Sequence, residues 1–166
     1  FLHFSILFDT IATRFLLKIT LEGKVDYVYN SKGEQMGAYR VTDMASDSEG
    51  NLYITQQGVG LYSYSLIKLN PKDWSAYNRI YVGSNEYFNA VTLDGRDNVY
   101  VLNGSDIEKI KPKEGKIDED RLEVKSTGLG RIDVKTPENC SIAVNKAGTK
   151  LYVADPNSHH IFKMDL

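Results

Sequence analysis

Asp47-Ser-Glu-Gly-Asn-Leu-Tyr53-Ile54 returns as Asp94-Gly-Arg-Asp-Asn-Val-Tyr100-Val101 and again, one residue longer, as Asn145-Lys-Ala-Gly-Thr-Lys-Leu-Tyr152-Val153. Each copy opens on an Asx residue and a short polar turn, then runs into an aromatic strand with period-2 alternation: Leu52 and Ile54 share one face, Tyr53 and Thr55 the other. A second strand follows each copy, with a shared centre: Ile67-Lys68-Leu69, Glu108-Lys109-Ile110 and Phe162-Lys163-Met164. A fourth such centre, Leu17-Lys18-Ile19, lies upstream. A supersecondary unit repeated at roughly 40–55 residues is the mark of propeller blades. The expected fold class is therefore all-β, with β-propeller blades of four antiparallel strands.

Working outward, the repeats divide the chain into blades at about 1–35 (partial), 36–85, 86–135 and 136–166 (partial), all within one domain or segment spanning 1–166. In the second unit the expected strands are Val41 to Asp47, Asn51 to Gln57, Ser65 to Pro71 and Ser75 to Gly83. The third repeats them with Tyr87 to Asp94, Asn98 to Gly104, Ile107 to Pro112 and Leu122 to Leu129. The fourth supplies Cys140 to Lys146, Lys150 to Pro156 and His160 to Leu166. Upstream, His3 to Asp9, Thr13 to Thr20 and Gly23 to Ser31 read as a partial unit. No stretch reads as a convincing helix; Lys113 to Arg121 is expected to be a solvated loop. About three and a half blades are present by this count, against about four to eight in closed propellers. The chain is then a segment of a larger propeller, a compact four-bladed ring, or an arc that closes by self-association through its open edges.

Composition narrows the class of function. The chain has 166 residues, 42% hydrophobic and 25% charged, with a formal net charge of −2. That balance suits a soluble globular fold and gives no electrostatic reason to expect nucleic acid. No apolar run approaches the ~20 residues of a membrane helix, so no membrane insertion is expected within this chain. The single cysteine, Cys140, cannot form an internal disulfide and reads as a buried inert thiol. Bacterial cell-surface or extracellular placement is favoured over cytoplasmic, and the sequence does not fix it.

The stretch Ser141-Ile-Ala-Val-Asn-Lys-Ala-Gly-Thr-Lys-Leu-Tyr-Val-Ala-Asp155, with its return strand to Asp165, resembles an NHL repeat and the related YVTN-type repeat of bacterial surface propellers. The likeness covers about 41–166, is looser in the first two copies, and extends to lactonase-like six-bladed propellers. It implies the architecture and leaves the activity open, because such propellers include binding scaffolds, lactonases and lyases.

Three groups of residues are candidates for function. Polar residues at the entrances of the inner strands converge on the channel of a propeller; here these are Asp43, Asn89 and Asn139, read as a ligand-binding set. An Asp with amide neighbours suits a hard cation such as calcium, with Asp43 as the candidate metal ligand. Lactonase-like propellers, by resemblance, place a metal there, although usually with a Glu that these entrances lack. Tyr62 and Tyr64 flank the Gly58–Gly60 loop and form a candidate recognition tip. Asp155 and Asn103 are expected to accept backbone N–H bonds in their own turns, and Asp47, Asp94 and Asn145 to recur because hairpin geometry demands them. No catalytic constellation emerges, so the leading expectation is a non-catalytic module, without a cofactor, that binds a protein or carbohydrate through loops on one face. The alternatives are a propeller enzyme of lactonase or lyase type with a divalent metal in the channel, and a structural spacer.

Overall fold

The computed structural model describes residues 3–7, 15–19, 22–27, 41–57, 64–69, 77–81, 88–111, 125–134 and 136–166. Its strands are β1 (His3–Leu7), β2 (Phe15–Ile19), β3 (Val25–Tyr27), β4 (Val41–Ser46), β5 (Leu52–Gln57), β6 (Tyr64–Leu69) and β7 (Tyr77–Tyr81). They continue as β8 (Phe88–Leu93), β9 (Val99–Asn103), β10 (Asp106–Lys111), β11 (Lys125–Arg131), β12 (Ser141–Val144), β13 (Lys150–Asp155) and β14 (His160–Asp165). All pairings are antiparallel between chain neighbours, giving sheets β1–β3, β4–β7, β8–β11 and β12–β14. This is the up-and-down order of propeller blades, and the expected fold class stands. The one helical element among the described residues is a 3-10 turn, Pro137–Asn139, which the strand patterning does not foreshadow. The expected loop Lys113 to Arg121 lies outside the described residues.

The strands follow from alternation, and the third sheet is apolar on both faces because a neighbouring sheet covers each. In the third sheet Phe88, Val91, Val99, Val101 and Ile110 pack against Tyr53 and Leu66 of the second. Its opposite face, with Ala90, Tyr100, Leu102 and Ile107, packs against Ile142, Leu151, Val153, Phe162 and Met164 of the fourth. The innermost strands stand side by side, β4 next to β8 and β8 next to β12. Tyr53 and Tyr100 thus lie on the face toward the following sheet, over the lysine opposite each. Lys68 Nζ lies 5.1 Å from the Tyr53 ring centroid and Lys109 Nζ 5.3 Å from that of Tyr100, a cation–π distance.

The turns confirm the hairpin reading. Asp47 Oδ1 accepts the N–H of Asn51 at 2.7 Å and of Glu49 at 3.1 Å. Asp94 Oδ1 accepts those of Arg96 and Asn98 at 2.9 and 3.0 Å, and Asn145 Oδ1 those of Thr149 and Lys150 at 2.8 and 3.0 Å. Asp155 likewise accepts from Asn157 at 3.0 Å. Asn103 Nδ2 donates to Glu108 Oε1 across the β9–β10 hairpin at 2.8 Å. Successive turns are also tied together, because Ser48 donates to the Asp97 carboxylate through its N–H and hydroxyl, and Gly95 N–H donates to Lys146 O at 2.9 Å.

Candidate functional site

The inner strands do not start as regular ladders. In β4 the register jumps from Val41↔Gln56 to Asp43↔Thr55, and in β8 from Phe88↔Asn103 to Ala90↔Leu102. Thr42 and Asn89 are therefore bulge residues, each without a partner across the hairpin, at the same place in consecutive blades. Bulges of this kind concentrate at sheet edges and beside functional sites, where they re-aim a side chain.

The expected trio falls out of step at these bulges. Asp43, Asn89 and Asn139 stand four, five and six residues before their turn residues Asp47, Asp94 and Asn145. The residues that share the Asn89 position are Thr42 and Cys140, each five before its turn. Polar type alone does not set the register, whereas distance from the turn, readable in the sequence, groups Asn89 with Thr42 and Cys140.

Asp43 is half-buried and fully engaged. Its Oδ2 accepts the N–H of Val91 on β8 at 3.0 Å and its Oδ1 accepts the N–H of Met44 at 2.8 Å. Burial pushes its pKa up, against the opposing pull of the Val91 and Met44 N–H groups. The carboxylate is thus a stitch between blades, satisfying an edge amide that no ladder pairs. Beside it, the Thr42 hydroxyl lies 2.8 Å from that of Thr55, which donates to Asp43 O at 3.2 Å, with Phe88 O within Thr42's reach at 3.1 Å.

Asn89 is the contrasting case. It is 5% exposed, and its Nδ2 has no hydrogen-bond partner. Leaving a buried amide donor unsatisfied costs about 1–3 kcal/mol. Asn139 ends the 3-10 turn, is exposed, and donates its backbone N–H to Thr136 O at 3.0 Å. Cys140 is buried, its Sγ lies 3.5 Å from Thr136 O, and burial followed by the nearby Asp155 and Glu138 charges raises its thiol pKa. These features make it an inert thiol. Tyr62 lies outside the described residues. Tyr64 opens β6 opposite Gln57, and its side chain lies outside the described residues.

The trio is not gathered at one register: each Asp43 oxygen accepts one N–H, and Asn139 sits at a different register from Asn89. Among the described residues, no group of three or more His, Cys, Asp or Glu side chains is placed to hold a metal. Within the trio, Asn89 has the buried donor without a partner.

No protein-family model matches the chain, and no curated protein matches it. The NHL and YVTN likeness accordingly rests on the repeat residues themselves. Among solved structures the chain is similar to a gluconolactonase from Xanthomonas campestris, with a TM-score of 0.62 at 13% sequence identity. The match covers 92% of this chain and 54% of that one, so the chain spans about half the length of the enzyme. At that identity the likeness shows the fold alone, a β-propeller.

Proposed function

We propose that the chain is part of a lactonase-type propeller enzyme acting on small cyclic esters, with Asn89 presenting its amide to the substrate. The observation that carries this reading is the buried, unpartnered Asn89 Nδ2 at the bulge of an inner strand. A lactone carbonyl oxygen is an acceptor of the right kind for that donor. Its negative charge grows as water adds to the carbonyl carbon, and a fixed donor in a water-poor site favours that charge. The fold likeness to a gluconolactonase supports the substrate class. A purely structural spacer has no use for an unsatisfied buried amide, and the fold likeness to a gluconolactonase favours the enzyme over the non-catalytic binding module expected from the repeats. No step through a divalent ion is derived.

The test is hydrolysis of D-glucono-1,5-lactone by the purified protein, followed in a pH-stat against spontaneous opening. Asn89→Ala is expected to lower kcat by about tenfold or more while leaving the melting temperature unchanged or raised, because it deletes an unsatisfied group. Hydrolysis no faster than background, or an Asn89→Ala variant as active as wild type, refutes the proposal.

A further inference from the structure

The fourth sheet shows solvent a face that the two sheets before it bury. By strand register, Leu66, Ile107 and Ile161 hold one position, and Tyr53, Tyr100 and Tyr152 another. Leu66 and Ile107 are 0% exposed and Ile161 74%; Tyr53 and Tyr100 are 2% exposed and Tyr152 37%. A single surface isoleucine needs no explanation. An isoleucine and a tyrosine at the two positions that build every described junction do need one. We propose that Ala143, Tyr152, Ala154 and Ile161 form a docking surface for one further blade of the same repeat type, in a longer polypeptide that carries these residues.

Continuity with the existing junctions identifies the occupant. The fronts of the second, third and fourth sheets, which receive the tyrosine of the blade before, are not free for a second copy: Leu52, Ile54, Ile67 and Leu69 are buried, as are Val99, Val101 and Ile110, and Leu151 and Val153. A second copy seated through β1–β3, whose side chains lie outside the described residues, would protect Tyr152 in the chain itself. The solved propeller that the chain resembles extends well beyond the matched portion. The turns add a second requirement. Ser48 and Gly95 give their N–H groups to the next turn, so the Lys146 N–H is the corresponding donor toward a further blade.

The occupant's chemistry follows from the two junctions. It carries an alternating apolar front like that of Leu151 and Val153, and a hairpin turn with a left-handed residue. Asp97 at φ 60° and Gly148 at φ 65° fill that role in the third and fourth blades. The left-handed residue would lie over Asn145 and Tyr152 as Gly148 lies over Asp94 and Tyr100.

The experiment compares tyrosine nitration by tetranitromethane, read by mass spectrometry, in two proteins. One is the chain itself; the other repeats residues 136–166 after Leu166, because the front of that blade already fits this kind of face. In the chain, Tyr152 is expected to react while Tyr53 and Tyr100 are protected. In the extended protein, Tyr152 should react about tenfold more slowly, and Ile161→Lys should restore its reactivity. Equal Tyr152 reactivity in both proteins, with Tyr53 and Tyr100 still protected, overturns the proposal. If the extension exposes Tyr53 and Tyr100, the chain alone decides through anilinonaphthalene sulfonate fluorescence. A severalfold fall in the Tyr152→Lys/Ile161→Lys double variant supports the docking face, and an unchanged signal overturns it.

Discussion

Ile107 and Ile161 are the same residue type at the same register position, one sealed between blades and the other in water, and this pair tests the architecture most directly. Ile107 is fully buried beside Tyr100, Leu102, Leu151 and Val153. Truncation to Ala removes three carbons. At about 0.8 kcal/mol per buried methylene this forfeits about 2.4 kcal/mol of transfer free energy, and the cavity left behind brings the cost to about 3–4 kcal/mol. Ile161 is 74% exposed, so the same truncation there should stay within about 0.5 kcal/mol. For a domain of this size each kcal/mol moves the melting temperature by about 2–4 °C. Ile107→Ala should therefore melt about 10 °C below wild type, and Ile161→Ala within about 2 °C of it. The measurement is thermal and urea unfolding by circular dichroism near 218 nm, with Leu66→Ala as a second buried control expected to behave like Ile107→Ala. Equal losses at 107 and 161 would falsify the assignment of the two residues to a closed and an open junction, because equal cost means equal burial in solution.

Four further outcomes are expected. Gly148→Ala should destabilise by at least about 1–2 kcal/mol in urea titrations, since its φ of +65° disfavours a side chain and the added Cβ would lie 2.3 Å from Asp94 Oδ2. Tyr100→Phe should cost about 1.5–3 kcal/mol by losing the hydroxyl donated to the Asp94 carboxylate, and in wild type the Tyr100 phenol, raised to about 12 by burial and then by Asp94, should resist spectrophotometric titration at pH 10–11. Burial raises the Asp94 pKa, but the Asn98 side chain, the Arg96 and Asn98 N–H groups and Tyr100 together bring it below its ordinary 3.8; its stabilisation is full above that value, so the advantage of wild type over Asp94→Asn should hold at neutral pH and vanish as pH falls through the depressed value. Asp43 runs the other way: its raised pKa means a contribution present below 3.8 and lost as pH rises, so the stability deficit of Asp43→Asn should narrow as pH rises through that raised value.

Most of the architecture was readable because it is local. Turn, alternation and repeat spacing each sit within a few residues, and the aromatic at positions 53, 100 and 152 fixed which face was which. The bulges at Thr42 and Asn89 were not readable from alternation, since an extra residue in an inner strand is stabilised by the neighbouring blade through contacts such as Val91 N–H to Asp43. Polar type alone grouped Asp43, Asn89 and Asn139, whereas the bulge separates a stitch, a reserve donor and an exposed turn end. The 3-10 turn at Pro137–Asn139 was missed for a similar reason: three residues carry no period. Burial also depends on what stands next door, so Tyr152 looks identical to Tyr100 in sequence and differs from it only in having no sheet over it among the described residues.

Gly148 has a consequence for how such chains change over generations. Its missing side chain leaves room for an acid and a phenol that belong to the preceding unit, so the constraint on it is written in another repeat. A single unit moved into a foreign ring would arrive without its matching neighbour. Recombination should succeed when the cut falls mid-blade, carrying Tyr100, Asp94 and Gly148 together, and fail when it falls at the seam.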